Sequence, residues 1–343
     1  MALSKFFFKE GALVILAVFG WVRIKLIAKP TLLILTYHRI LPPGDPQRNS
    51  EQAGMVTSPE TLQKHIQLIK RLGAEPVHLD EWLEKNRQGQ RVPSLAVAFT
   101  FDDGWRDNYE HAYPVLRTHQ IPFTIFLVSK LIDTDKTFWP EQVLRLLVTD
   151  NVPSEDKCFH WLRPYINVVV NEPAHFPLDL ADANLVIGEL KRLDDETIYR
   201  NLELIYDVHP CLAPNSDSRA ILSSSELDEM AASGLAHYGA HTQHHYRLNR
   251  LTDENQINAE ILECMDDIKS LSSAHVPVFC YPNGDITHKG QRLVQSAYRA
   301  ACTIKTGWNR SGCDPYDLHR FSLHDGNSFS PQRLLATIGR GLL

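Results

Sequence analysis

The sequence predicts an α/β fold, a TIM-like barrel of parallel strands carrying a helical insertion, and three observations lead there. Short apolar runs of strand length alternate with amphipathic helical patterns, the signature of parallel βα units. Six or more such units follow one another on a chain of 343 residues, which favours a closed barrel over an open sheet. The composition, 43% hydrophobic and 22% charged, is that of an average soluble chain. It excludes a disordered tail, a collagen-like fibre and a polytopic membrane protein.

The first 29 residues stand apart. Residues 11–22 form an unbroken apolar stretch, with Lys5 and Lys9 before it and Arg23, Lys25 and Lys29 after it. The run falls short of the roughly 20 apolar residues that a spanning helix needs. It also ends in VRIK, unlike the small-residue cleavage site of a signal peptide. A helix lying in the membrane interface, anchored by Phe19 and Trp21, fits best and places the protein at a membrane, on the cytoplasmic side. A marginal span and a helix packed on the rest of the protein are the other readings.

From Pro30 the pattern turns to strands. Residues 32–38 (LLILTYH) read as a strand buried on both faces, as do 95–101 (LAVAFTF) and 121–128 (IPFTIFLV). A weaker strand follows at 235–239, then strands at 278–281 and 299–304 and a last short one at 320–323. Ser58 as N-cap and Pro59 at the first position open a helix with Leu62, Ile66, Ile69 and Leu72 on one face, and Gly73 closes it. Further helices are predicted over 108–119, 225–233, 252–271 and 289–297. Residues 132–224 break the alternation. Helical stretches around 141–147 and 185–206 are interrupted by prolines from Pro153 to Pro214, which suggests a helical cap inserted in the 30–343 barrel. Such insertions usually border the active site.

A net charge of −6 with no long run of like charges argues against a nucleic-acid partner. The 16 histidines direct attention to metal or proton chemistry. None of the six cysteines forms a C-x-x-C pair. They read as small core residues in a reducing compartment, with disulfides left open.

Two motifs carry chemistry. TFDDG, residues 100–104, ends a buried strand. Adjacent carboxylates there are desolvated and repel each other, and a cation or a shared proton would relieve both costs. Gly104 lets the chain turn at once; the bland alternative is an ordinary Asp-Gly turn. GAHTQHHYRL, residues 239–248, ends another strand. His241 and His245 are four apart, and in a helical turn that spacing puts both rings on one face. His244 competes with His245, and a plain surface turn would also explain the cluster. Taken together, the two strand ends can supply a two-histidine, one-carboxylate metal site open to water. Hydrolytic centres and non-haem iron oxygenases share that ligand set. The spare aspartate, placed to take a proton from water, favours hydrolysis.

TFDDG, HTQHH about 140 residues later and FCYPNGD at 279–285 together resemble the polysaccharide deacetylase family, carbohydrate esterase family four. The resemblance runs from LTYHRI at Leu35 to about Leu323. It implies a distorted (β/α)7 barrel that hydrolyses N-acetyl groups on hexosamine units of a polysaccharide or oligosaccharide. It implies Asp102 as general base, Asp103, His241 and His245 as ligands of a divalent ion, expected to be Zn2+, and His244 as a bystander. CYPNG in place of R-x-P-Y, and the insertion, point to the exopolysaccharide and biofilm-type branch. The backbone oxyanion donor would then lie at Tyr281. No clear tryptophan-containing fourth motif is present, and Arg320 is the residue left to orient Asp102. His38, ending the first strand, is the expected general acid, with His324 the competitor. Trp105 is either a sugar-facing wall or a packed anchor. Two other functions remain open: O-deacetylation of a glycan, and a carbohydrate-binding relic without activity.

Overall fold

The computed structural model describes residues 2–27, 29–52, 54–170, 177–214 and 219–341. Seven parallel strands frame it: β1 (Thr31–Tyr37), β2 (Leu95–Phe101), β3 (Phe123–Leu127), β4 (Ala236–Ala240), β5 (His275–Cys280), β6 (Ala300–Cys302) and β7 (Phe321–Ser322). Hydrogen bonding runs in sequence from β1 to β6, and β7 pairs with the other flank of β1. A parallel bridge from Cys302 to Leu318 ties β6 to the chain leading into β7. The sheet therefore curls back on itself, with the short stretch 318–322 as its seam. The fold is the expected α/β barrel, distorted at that seam.

β1 and β2 are buried at every position, as strands covered on both faces must be. Alternation divides their side chains. Leu32, Ile34, Ala96 and Ala98 join Phe126, Val278 and Ala300 in one cluster. Leu33, Leu35, Val97 and Phe99 pack into another with Leu62, Ile66 and Ile69 of helix α2 (Pro59–Arg71). The Ser58 hydroxyl accepts the Thr61 N–H at 3.2 Å, so α2 starts at its predicted cap. The helix predicted over 252–271 is interrupted by a π-helical turn, Ala259–Glu263. Several helices escape the sequence reading, among them Leu79–Arg87, Arg163–Val169 and the C-terminal Pro331–Gly339. Ser330 and Pro331 mark the start of the last of these.

The chain between β3 and β4 holds helices α3 (Trp139–Val148), α4 (Arg163–Val169), α5 (Leu180–Leu190) and α6 (Asp195–Val208). The single helix read at 185–206 is thus two, because the Asp194 carboxylate caps a fresh start by accepting the Thr197 N–H. Val143, Leu147, Leu162, Val186, Ile198 and Leu202 give these helices a core of their own.

The N-terminal helix α1 (Ala2–Lys25) docks on the C-terminal helix α7 (Pro331–Gly339). Gly20 lies so close to it that a Cβ would fall 2.2 Å from the Leu335 carbonyl oxygen. The Arg23 guanidinium donates to the Gly339 and Gly341 carbonyls at 2.9 and 2.6 Å and covers the Trp308 ring. The helix is therefore attached to the barrel along this side, while Val14, Ile15, Val18, Phe19 and Trp21 stay exposed. Among the described residues no helix is long and apolar enough to cross a membrane. The side chains of Lys5 and Lys9 lie outside the described residues.

His65 links α2 to the sheet. Its Nε2–H donates to the Ser328 carbonyl at 2.7 Å, so Nδ1 accepts the Tyr37 hydroxyl at 2.9 Å. Burial pushes its pKa down to about 4. The folded state thus binds this proton less readily than the unfolded chain, and the sign follows from linkage. The contribution is complete above the ordinary value near 6.5 and is lost as pH falls toward 4, by up to about 3 kcal/mol. Urea unfolding at a series of pH values between 7.5 and 4.5 should show this decline, and His65→Gln should flatten it. An unchanged slope in the variant would refute the assignment.

Candidate active site

β2 ends in Phe101, and the chain turns at once. Asp103 and Gly104 both adopt left-handed backbone, with φ of 76° and 77°. For Asp103 that conformation is strained, and it is tolerated where the surroundings over-determine it. The turn sends the two carboxylates to different partners. Asp102 meets Arg320, whose Nη1 lies 2.8 Å from both its oxygens. Burial alone would raise the Asp102 pKa, but Arg320, with His241 and His38, holds it below the usual carboxylate range. Asp103 Oδ2 accepts the Trp105 indole N–H at 3.0 Å, which leaves Oδ1 turned toward the histidines.

His241 and His245 follow β4, but not on a helix. The segment is a loop in which Thr242 and His245 both have positive φ, 67° and 62°. This corrects the helical-turn reading: the left-handed residues, rather than 3.6-residue periodicity, bring the rings to 5.0 Å. His241 Nε2 and His245 Nε2 lie 3.4 and 3.5 Å from Asp103 Oδ1. His244 turns away, its N–H and Nδ1 both bound to the Glu260 carboxylate.

The donor set fits a divalent ion. Two ligands about 2.1 Å from a tetrahedral centre lie about 3.4 Å apart, close to the observed spacing. His241 Nδ1–H donates to the Cys280 carbonyl at 2.7 Å, which fixes the tautomer with the Nε2 lone pair free. Burial holds His245 down at about 4, neutral as a ligand must be. Burial would lower His241 too, but the Asp103 and Asp102 carboxylates raise it. Asp102, His241 and Cys280 also lie close together. Asp102 is already committed to Arg320, however, and burial keeps the Cys280 thiol protonated. A third group, His78, Asp80 and His237, sits at the opposite end of β4. Its two rings stack at 3.7 Å with planes 14° apart, so their nitrogens do not aim at one point.

His38 leaves the end of β1 on the same rim, with Nε2 3.9 Å from Asp102 Oδ2 and Nδ1 without a partner. His324 instead accepts the Gly326 N–H and caps a short helical turn. One open sequence reading is resolved and one expectation changes. Trp105 is 1% exposed, under the Arg39 guanidinium and against Phe138, so it is a packed anchor and not a sugar-facing wall. Tyr281 lines the cavity, but its backbone N–H already donates to the Cys302 carbonyl at 3.2 Å. That bond takes the hydrogen that an oxyanion would need, and the donor role at Tyr281 is not supported.

These groups surround a cavity of about 270 Å³, whose far wall comes from the insertion: Phe138, Trp139, Glu141, Lys191 and Asp195. None of these was singled out from sequence. Asp195 fixes that wall. Its carboxylate accepts the Trp139 indole N–H at 2.7 Å and the Arg247 backbone N–H and Nε at 2.8 and 3.0 Å. Such a site can polarise a carbonyl, activate water and move a proton within one enclosed space.

The polysaccharide deacetylase family model matches residues 89–161 and 206–301. Over 85 residues the chain is 29% identical to the poly-beta-1,6-N-acetyl-D-glucosamine N-deacetylase of Escherichia coli K12. That stretch is 25% of this chain and only 13% of the relative's length. The Streptococcus pyogenes deacetylase PplD, solved in complex with acetate, superposes with a TM-score of 0.58 at 16% identity, over 91% of this chain and 99% of that one. IcaB from Ammonifex degensii superposes at 0.53 and 17% identity, over 90% and 97%. At these identities the two structures speak for the fold.

The Asp102–Arg320 pair has a measurable consequence. Arg320→Met should raise the Asp102 pKa, since burial then acts without the opposing cation. The acid limb of the pH–rate profile should move toward neutral pH, with rates falling more at pH 5 than at pH 8. A limb that stays in place would show that Arg320 does not keep Asp102 ionised.

Proposed function

The chain belongs to the polysaccharide deacetylase family, a family of amide-bond hydrolases, and from that premise we propose a metal-dependent enzyme that removes N-acetyl groups from hexosamine units of an exopolysaccharide-type glycan. The observation that carries this reading is the convergence of Asp103, His241 and His245 beside an aspartate paired with arginine. Asp103 Oδ1 and the two Nε2 atoms would hold the ion, with Zn2+ expected from two imidazoles and one carboxylate. When bound, the ion supplies a Lewis acid for the acetyl oxygen and lowers the pKa of water.

The chain's own groups move the protons. Asp102 accepts one from the attacking water, and Arg320 keeps its carboxylate ionised for that purpose. His38 gives a proton to the departing nitrogen, since an unprotonated amine anion is a very poor leaving group. Its free Nδ1 and its place on the rim support this role over His324. Ester hydrolysis of O-acetyl groups by the same site, and a relic without activity, are separated from this reading by acetate release from a panel of N- and O-acetylated glycans. The proposal extends to location: the exposed face of α1, with Val14, Ile15, Val18, Phe19 and Trp21, would rest on a membrane surface.

Chelation should abolish acetate release, and Asp103→Ala and His241→Ala should lose the ion in elemental analysis. Asp102→Asn should keep it and lose roughly 10²-fold or more in rate, the size of a removed general base. Full activity without metal would end this mechanism, and loss of metal from Asp102→Asn would make Asp102 a ligand.

The acid is tested by leaving group. His38→Ala should bind metal normally, lose most amide hydrolysis and lose less on an activated acetate ester, whose leaving group needs no proton. If His324→Ala shows that selective loss and His38→Ala does not, the two roles are exchanged.

A further inference from the structure

The cavity holds one carboxyl group for which the proposed chemistry has no use. Glu141 stands in the first turn of α3 and lines the cavity together with Asp103, His241 and His245. The other buried acids nearby have cations. Asp102 has Arg320, Asp195 has Arg247, and Glu51 and Asp107 share Arg39. Asp103 has the two imidazoles. Glu141 has none: among the described residues no lysine, arginine or histidine nitrogen lies within 4.0 Å of its oxygens. Lys191 lines the same cavity without forming an ion pair there.

What Glu141 does have is half a set of donors. Oε1 accepts the Gln52 side-chain amide at 2.8 Å. Oε2 is buried and has no partner. Burial, with the charge of nearby Glu51, pushes this carboxyl well above the usual carboxylate range. A buried oxygen left this way costs free energy that structures rarely leave unrelieved. A donor arriving through the cavity would relieve it, and a cationic donor would do so best, because it would also stabilise the carboxylate form.

The proposed reaction makes such a donor. Each acetamide hydrolysed leaves a basic primary amine on the sugar. Resting on the deacetylase reading, we propose that Glu141, with Gln52 beside it, forms a subsite for the free ammonium group of a hexosamine already de-N-acetylated in the same glycan. The subsite belongs to a neighbouring sugar, because the ring under attack presents its nitrogen to His38. A cavity of about 270 Å³ is slightly smaller than the usual ligand pocket, so the neighbouring ring reaches Glu141 only near the insertion rim. Glycans already partly de-N-acetylated then become preferred ligands, and the insertion becomes the element that reads them.

Binding, rather than turnover, tests this. The metal-loaded full chain carrying Asp102→Asn is titrated with two tetramers of N-acetylglucosamine, one fully acetylated and one with a single free amine. The amine-bearing tetramer should bind about 10-fold more tightly, the size of one charge-assisted hydrogen bond. Adding Glu141→Gln, which keeps the shape and removes the charge, should abolish that preference and leave the acetylated tetramer unaffected. Without any change at Glu141, free glucosamine should displace the amine-bearing tetramer more effectively than N-acetylglucosamine or glucose does. Equal binding of the two tetramers overturns the proposal. So does a preference that survives Glu141→Gln, or an equal weakening of both tetramers, which would mean that Glu141 serves a hydroxyl. A wild-type chain that releases no acetate from any glycan defeats the deacetylase reading instead, and the binding preference reads out independently of it.

Discussion

The contact on which the site depends is the buried pair between Asp102 and Arg320. Arg320 comes from the seam of the barrel, and it does more than neutralise a charge. Its Nε donates to the Thr303 carbonyl and its backbone N–H to that of Lys305, while Nη1 reaches both Asp102 oxygens. One residue thus links the exit of β6, the entry to β7 and the end of β2. A buried ion pair adds little to net stability when set against an apolar replacement, although breaking one is expensive. What it fixes here is protonation and place. Two adjacent aspartates in a dry strand end would otherwise tend to share a proton, and a shared proton would deny the site both a base and a clean ligand. With Arg320 serving Asp102, and Trp105 and the histidines serving Asp103, the two carboxylates are separated into different tasks.

The insertion is positioned by a second pair of the same kind. Arg247 follows the histidine loop, and Asp195 begins α6. Their contact, with the Trp139 indole on the same carboxylate and Arg247 also donating to the Lys191 and Leu193 carbonyls, joins the far wall to the histidine loop. Both pairs are buried, so neither depends on surface charges that salt would screen. The barrel half holds Asp102, Asp103 and the histidines, and the insertion half forms the facing wall of the same cavity.

Much of this was legible in the sequence where one local rule applied. The runs at 32–38 and 95–101 could only be strands covered on both faces, and Ser58-Pro59 could only begin a helix. Asp102, Asp103, His241 and His245 were legible because adjacent carboxylates and clustered histidines at strand ends call for explanation whatever the fold. The roles of Glu141, Asp195 and Arg247 were not legible. Each is an ordinary charged residue in a helical or loop context, and its meaning comes from a partner 50 or more residues away, as with Asp195 and Arg247. Glu141 follows Trp139-Pro140 in a first helical turn, where an acid is expected for the helix dipole alone. Trp105 could be read two ways, since an aromatic beside paired aspartates suits a sugar wall or a packed anchor alike, and only the structure shows its indole N–H held by Asp103.

The helical reading of the histidine spacing failed for a reason that bears on how the site works. An i, i+4 pair on a helix would have spent the backbone hydrogen bonds of the loop on itself. In the observed loop, the His241 N–H donates to Leu127 of β3, and the Ser129 and Lys130 N–H groups donate to the Thr242 and Gln243 carbonyls. The loop is therefore sewn to the neighbouring strand exit, and the strain of Thr242 and His245 is offset by bonds that a helix could not make. Asp103 and Asn283 carry the same left-handed strain at two other strand exits around the cavity. Four left-handed non-glycine residues on one rim, above strands whose pairing is regular apart from a register shift between Tyr238 and Ala240, mean that the barrel supplies the rigidity and the rim uses it. Rigid strands allow three candidate ligand atoms from two loops to stay within 4.8 Å of one another, which neither loop could enforce alone.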